Sequence, residues 1–329
     1  MVLKKRTISL DILKLFTILL IINSHSDVLY PSKIQFLASG GGIGNELFFL
    51  ISGYLFSAKV DIPGDLRKRF ARLYLPTYIM IIITWIFGKL ELDSVSRIIG
   101  TFIWPTKFWF VGAIFLYSFF LYALIKHGIR KTKRFVLFGI TVLIVDLLLY
   151  ILLIPDKSVW IVEDVYFGFV PYRSIYSIFA FVLGYYLKMN KERLVGKIKE
   201  SHTVVIAVVL FLGFYGFKFL LNKNIIPMSM QIFSHPLTII SALFIFLAFA
   251  QLDLNSFLEG KKVEHWINIL AGLSLESYLV QFLIIGGIAY LNILFPMNFI
   301  ICILAVLIAA WILHWVSGKL TGLILKRRE

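Results

Sequence analysis

Asp11, Lys14 and His25 lie within one apolar stretch, residues 7–30, that is long enough to cross a membrane. A charged or titratable side chain in such a segment usually faces a bundle interior or a cavity, and it marks a candidate functional site. Histidine can take and release a proton near neutral pH. We therefore take His25 as a candidate catalytic base; the alternative is a helix-end histidine that only touches water or a neighbouring span.

The spacing within this stretch places the polar groups at different depths. On a helix that rises ~1.5 Å per residue, the eleven positions from Lys14 to His25 correspond to roughly 16 Å, or about three turns. The two side chains therefore lie on nearly the same face, with Asp11 one turn before Lys14. Either Asp11 or the later Glu46 could set the electrostatic field around the histidine.

Further on, Arg69 and Arg72 are three positions apart, so they share one face of a helix. Such a pair suits the bidentate capture of phosphate. The alternative is the ordinary band of cations at the cytoplasmic mouth of a membrane helix.

Two acidic residues, Glu46 and Glu276, lie just inside apolar runs. Each could pair with a buried cation such as Lys14 or Arg173, orient the histidine, or bind substrate hydroxyls. Trp109 could stack on a sugar ring or an adenine, or belong to an aromatic belt at the membrane surface. Arg173 could likewise have a role in the site, or it could only extend its charged end to the membrane surface. Trp109 and Arg173 are both kept as candidate substrate-binding residues.

A metal centre is not expected. The histidines other than His25 show no spacing typical of metal ligands, and the single cysteine, Cys302, cannot form an intrachain disulfide. We predict no metal site and no permanently bound cofactor.

These residues must be positioned by a membrane bundle. The chain has 329 residues, is 60% hydrophobic and 16% charged, and has a mean hydropathy of +0.89, which soluble domains of this size do not show. We predict an all-α, polytopic transmembrane bundle of about ten spans, a single domain over residues 1–329 with both termini cytoplasmic. The predicted spans are 7–30, 43–58, one entered through Pro76 that ends near Gly88, 108–126, 135–154, 172–187, 204–221, 236–251, 267–291 and 299–317.

The net charge of +15 needs an explanation, because a basic chain could bind nucleic acid. With Lys4-Lys5-Arg6 placed inside, 24 of the 33 lysines and arginines fall on the cytoplasmic side. The positive-inside rule accounts for that asymmetry, so we exclude nucleic acid as a partner. The cations placed outside are Lys33, Lys89, Arg97, Lys107, Lys157, Arg173, Lys218 and Lys223.

Taken in order, these segments resemble the acyltransferase 3 family of integral membrane O-acyltransferases. The resemblance covers nearly the whole chain. It is carried by Leu10-Asp11-Ile12-Leu13-Lys14, ten further residues and His25; by residues 46–55; by Arg69-Phe70-Ala71-Arg72 before Leu75-Pro76; by Phe108-Trp109-Phe110; by Arg173 with Phe179 and Gly184; and by Ser277-Tyr278-Leu279. Two positions depart from the family pattern: Lys14 stands where arginine is commoner, and Gln281 stands where many members have histidine.

The resemblance implies that His25 is catalytic and that Arg69 and Arg72 act on the cytoplasmic donor side. The implied reaction moves an acetyl or other short acyl group from cytosolic acyl-CoA to a hydroxyl of a surface polysaccharide or lipid-linked sugar. We expect the nucleotide near Arg69, Arg72 and Lys14, with the pantetheine arm reaching through the bundle toward His25. The implied location is a bacterial plasma membrane, with membrane lipids and glycan-assembly proteins as further partners.

The sequence is also compatible with two other classes of function. The chain could export a polysaccharide or a small anion without acyl transfer, although no pairing between its halves is visible. It could also be a non-catalytic assembly factor for a glycan synthase. Within the enzymatic interpretation, direct transfer with His25 as general base and transfer through an acyl-histidine both fit the sequence.

Overall fold

The computed structural model describes residues 8–58, 61–154, 156–158, 166–167, 170–191, 199–252, 254, 258 and 260–326. It is almost entirely helical, which confirms the predicted all-α class. A hairpin of two-residue strands, β1 (Tyr166–Phe167) and β2 (Val170–Pro171), pairs antiparallel. The helices are α1 Ile8–His25, α2 Gly41–Leu55, α3 Ile62–Ile86, α4 Val95–Ile103, α5 Trp109–Lys126, α6 Thr132–Leu153, α7 Arg173–Met189, α8 Glu200–Asn222, α9 Ser234–Gln251, α10 Lys262–Gly272, α11 Ser274–Ala289 and α12 Met297–Lys326.

Seven helical segments in the described residues are long and apolar enough to cross a membrane, or eight if the bent pair α10 and α11 forms one span. The chain is therefore a multi-pass membrane protein. The predicted count of ten is not confirmed. Of the two further predicted spans, α7 has only 17 residues, and the first half of α3 carries several charges. The predicted cytoplasmic start at Lys4-Lys5-Arg6 lies outside the described residues.

Helices α6, α8 and α12 surround the bundle. Only 17–22% of the residues in their apolar windows are buried, against 50–56% for the windows that contain α1, α5 and α9. The outer helices expose rows of Leu, Ile and Val, an arrangement that is stable only against lipid. The inner helices therefore form the core that can hold polar groups.

Helices α2 and α7 cross in contact at two glycines. A Cβ added at Gly53 would lie 1.8 Å from the carbonyl oxygen of Phe181, and one added at Gly184 would lie 1.9 Å from the carbonyl oxygen of Leu50. Small residues at such a crossing let two membrane helices approach with their backbones touching. The crossing fixes the position of Glu46 on α2 relative to the first two turns of α7.

Three boundaries differ from the predicted ones. The segment 7–30 is helical only to His25, because Ser24 and Ser26 donate hydrogen bonds back to the carbonyls of Ile21 and Ile22 and a 3-10 turn follows. The segment 267–291 is not one helix, since α10 and α11 meet at Leu273 with a bend of 64°.

The third difference concerns α3 and the loop after it. Helix α3 begins at Ile62, where Asp61 caps it by accepting a hydrogen bond from the Gly64 amide. Pro76 therefore lies inside a helix instead of at its entrance. The polar stretch predicted as an outer loop contains α4, which Ser94 caps through the Arg97 amide.

Candidate active site

A cavity of about 660 Å³ opens at one end of the bundle, where α1 ends and where α2, α5, α7 and α9 begin. Its size is typical of a small-molecule site. Four of the predicted site residues line it together: His25, Glu46, Trp109 and Arg173. They come from four helices, so the cavity exists only in the folded bundle.

His25 is the last residue of α1 and is half-buried. Its ring packs at a tilt against the Phe282 ring, with 4.7 Å between the centroids. In the part of the chain that the structure describes, its nitrogens make no hydrogen bond, and the side chain faces the cavity. Phe282 therefore fixes the ring orientation by packing, and the nitrogens are left for a ligand.

The Glu46 carboxyl is fully buried at the cavity wall. Its Oε1 accepts a hydrogen bond from the Ser177 hydroxyl at 2.5 Å, while its Oε2 has no hydrogen-bond partner among the described residues. The Ser177 oxygen also lies 3.0 Å from the Arg173 carbonyl, one turn earlier on α7. A buried carboxyl with one unsatisfied oxygen is costly in a structural role, so this atom is a candidate ligand contact.

Arg173 is the first residue of α7, and its guanidinium lies over the Trp109 ring at 4.4 Å from the centroid. Trp109 is itself buried, beside Phe49. A cation placed over tryptophan is held by the negative face of the ring. The Nε of Arg173 is buried and has no hydrogen-bond partner among the described residues. Trp109 therefore contacts the arginine, and Arg173 keeps one donor that no described residue satisfies.

Three other predicted site residues lie outside the lining of this cavity. Lys14 donates to Asp11 at 2.9 Å, with Asp11 buried, so the two form an ion pair deeper along α1. Glu276 accepts from His314 of α12 at 2.8 Å if the histidine carries its proton on Nδ1. Asp11 and Glu276 do not line the cavity with His25, whereas Lys14 was predicted on the donor side, away from His25. The site roles of all three stay predictions.

Arg69 and Arg72 lie at the opposite end of the bundle. Arg69 pairs with Asp65 at 2.6 Å and lies 4.3 Å over the Phe56 ring, just past the end of α2. Glu46 is near the start of α2, ten positions away, or roughly 15 Å along a helix axis. Arg72 is exposed. The predicted donor pair therefore contains one arginine held by a buried carboxylate and one open to solvent.

A buried polar cluster behind the cavity was missed by the sequence interpretation. Asp146 and His235 are 2.8 Å apart and almost fully buried, and the Tyr176 ring stacks on His235 at 3.8 Å. Tyr176 lines the cavity, next to Ser177. The available signal was Asp146 itself, a carboxylate in the middle of the apolar segment 135–154. No group of three or more metal-binding side chains occurs among the described residues.

The arrangement can support proton transfer at a cavity wall. A hydroxyl bound in the cavity can give its proton to His25, and Arg173 can hold a negatively charged group beside it.

Comparison with known protein families gives a match. The sequence model of the family Acyl_transf_3, described as an acyltransferase domain, matches residues 7–315. The chain belongs to the acyltransferase 3 family. It is a membrane acyltransferase, and the match covers nearly its whole length. No curated protein and no solved structure gave a match.

Proposed function

We propose that this acyltransferase moves an acetyl or other short acyl group from cytosolic acyl-CoA to a hydroxyl of a surface polysaccharide or a lipid-linked sugar. His25 acts as the general base. The observation that carries the proposal is the cavity at the end of α1, where a histidine with unbonded ring nitrogens faces Glu46 and Arg173.

The reaction balances with groups that the cavity contains. His25 takes the proton of the acceptor hydroxyl while its oxygen attacks the thioester carbonyl. The tetrahedral intermediate collapses by breaking the carbon–sulfur bond, and the leaving thiolate takes the proton from the histidinium. Arg173 binds the acceptor from the start of α7, and Glu46 bonds an acceptor hydroxyl through its unsatisfied oxygen.

The donor is proposed to enter from the other end of the bundle. Arg69 and Arg72 lie there, and arginines form strong charge-assisted bonds to phosphate. A pantetheine arm that reaches from this end into the core would bring the thioester toward His25, past the Asp11–Lys14 pair. The acyl group would then cross the membrane, because donor and acceptor lie on opposite sides.

This arrangement of donor and acceptor implies a membrane topology, which we also propose. Helices α3 and α7 would add two spans to the eight, giving ten, with both termini in the cytoplasm. The cavity then opens outward and the Arg69 end inward, as the distribution of lysines and arginines favours. The proposed location is a bacterial plasma membrane, and the proposed partners are membrane lipids and glycan-assembly proteins.

The direct test is transfer of labelled acetyl from acetyl-CoA into membrane glycan, comparing wild type with His25→Ala at equal protein levels. We expect label that disappears in His25→Ala. A matched control is His202→Ala, which changes an exposed histidine at the start of α8 and should transfer like wild type. Equal labelling by wild type and His25→Ala would refute the proposal, and so would no labelling by either.

A further inference from the structure

We propose that the acceptor is anionic and carries a carboxylate or phosphate within a few ångströms of the hydroxyl that is acylated. The inference rests on the proposed function and concerns the same cavity. The supporting observation is the positive charge of the cavity, which is lined by four cations: Lys33, Arg173, Lys218 and Lys223. These are four of the eight cations that the proposed topology places outside, gathered in one place against the general scarcity of outer cations.

Three of these cations form one wall near the cavity mouth. Lys33 lies in the 3-10 turn Ser32–Leu37, while Lys218 and Lys223 lie at the end of α8. The turn and the helix end are held together by Phe36 and Phe219, whose rings meet edge to face at 5.4 Å. Packing of the turn against the helix end therefore positions these lysines, since both elements present them to the same cavity.

Arg173 supplies the fourth cation from the start of α7. The Trp109 ring below fixes its position, and its Nε is buried and unpartnered among the described residues. A buried donor of a charged group left without a partner is costly, and an anionic ligand would satisfy it. The cation lies in the same cavity as His25, so the anion it binds belongs to the reacting molecule.

In the part of the chain that the structure describes, the acidic groups that line the cavity form no ion pair with three of these cations. Asp27 and Glu46 line the same space, but no ion pair among the described residues joins either of them to Lys33, Lys223 or Arg173. Lys33 and Lys223 are exposed to the cavity mouth. Four cations and two acidic groups line this concave site, and an excess of positive charge raises the local concentration of anionic ligands. The cavity therefore favours an acidic glycan over a neutral one.

The first test uses native membranes and labelled acetyl-CoA, with the labelled glycan separated on an anion exchanger. We expect His25-dependent label to be retained. Mild acid then distinguishes the two sources of the anion: label that stays retained indicates carboxylate in the glycan, and label that is released indicates a lipid-linked phosphate. Label that depends on His25 but passes through as neutral glycan overturns the inference while leaving the proposed function intact.

The matching variant is Lys33→Gln with Lys223→Gln. Each exposed lysine is worth about two- to fivefold in affinity for an anion, so the initial rate at limiting acceptor should be roughly fourfold to twenty-fivefold lower than in wild type. High salt should reduce this difference between variant and wild type. The control, Lys89→Gln with Arg97→Gln, removes the same charge from exposed outer positions that do not line the cavity. A drop of equal size in the control would overturn the inference.

A binding measurement separates this inference from the proposed function. The full chain is placed in phosphatidylcholine nanodiscs and titrated with tetragalacturonate and with its methyl ester, in which a methyl group neutralises each carboxylate. We expect the acid to bind more tightly than the ester, both to wild type and to His25→Ala. Binding of the acid should be weaker in the Lys33→Gln, Lys223→Gln variant than in wild type. Acid binding no tighter than ester binding overturns the inference, whatever the transfer assay shows. Acid binding without any transfer sinks the proposed function alone.

Discussion

Replacing Gly184 with alanine tests how closely α2 and α7 must approach for the site to work. The added Cβ would lie 1.9 Å from the Leu50 carbonyl oxygen, whereas real Cβ atoms essentially never come within 3.0 Å of a neighbour. The helices must therefore separate by about 1.1 Å at this point, because backbone atoms of a helix cannot turn aside. Overpacking of this kind costs about 1–3 kcal/mol, only partly offset by ~1 kcal/mol of better helix propensity.

The separation also reaches the cavity. Ser177 on α7 donates to Glu46 on α2 at 2.5 Å, two turns from Gly184. A shift of the two helices lengthens that distance to as much as about 3.6 Å, beyond a hydrogen bond. Misplacement by ~1 Å can lower catalysis about a hundredfold, so we expect Gly184→Ala to lose transfer more severely than it loses stability.

The assay measures thermal unfolding in detergent and acetyl transfer in membranes for the same variants. Gly216→Ala is the matched control, since a Cβ added at Gly216 of α8 meets nothing within 4 Å. It should keep wild-type transfer and unfold at the same temperature or slightly higher. A Gly184→Ala protein with wild-type transfer and unfolding temperature would refute the close crossing and the role given to it.

Three further substitutions test the buried Asp146–His235 pair, the hydrogen bond to Glu46 and the donor end of the bundle. Asp146→Leu leaves His235 buried without its partner and should destabilise the protein by about 3–5 kcal/mol in thermal unfolding, and adding His235→Phe should recover much of that loss; an unchanged unfolding temperature would contradict the buried pair. Ser177→Ala removes the donor to Glu46 and should cost about 1–3 kcal/mol of stability and lower transfer, and wild-type values in both assays would count against that bond. Arg72→Gln should raise the KM for acetyl-CoA about two- to fivefold with kcat unchanged, and an unaltered KM would remove Arg72 from the donor site.

Much of the site could be predicted because polar groups in apolar spans have few stable positions. Glu46 and Arg173 had to face a cavity, a partner or the membrane surface, and the structure brings them to the cavity of His25. Their catalytic and binding roles stay predictions. The orientation of Trp109 was beyond sequence reasoning, because its ring could lie toward a sugar, the lipid or a cation with equal local preference.

Other features depend on contacts between distant segments. Asp146 and His235 are 89 positions apart, and nothing local to either indicates the other. The pairing of Asp65 with Arg69 was open to prediction from the four-residue spacing, yet its burial under Tyr122 comes only from packing of α3 on α5. The bend between α10 and α11 lies at Leu273, directly after Gly272, so this glycine was a local signal of a break that the prediction of one continuous span did not use.

Sealed inside-out vesicles show whether His25 supports acyl transfer across the membrane. Labelled acetyl-CoA is added to the exposed cytoplasmic face, and label is measured in glycan enclosed within the vesicles. We predict enclosed, labelled glycan with wild type and none with His25→Ala. Label that forms only on the exposed face, or that is as strong with His25→Ala as with wild type, would refute transfer across the membrane by His25.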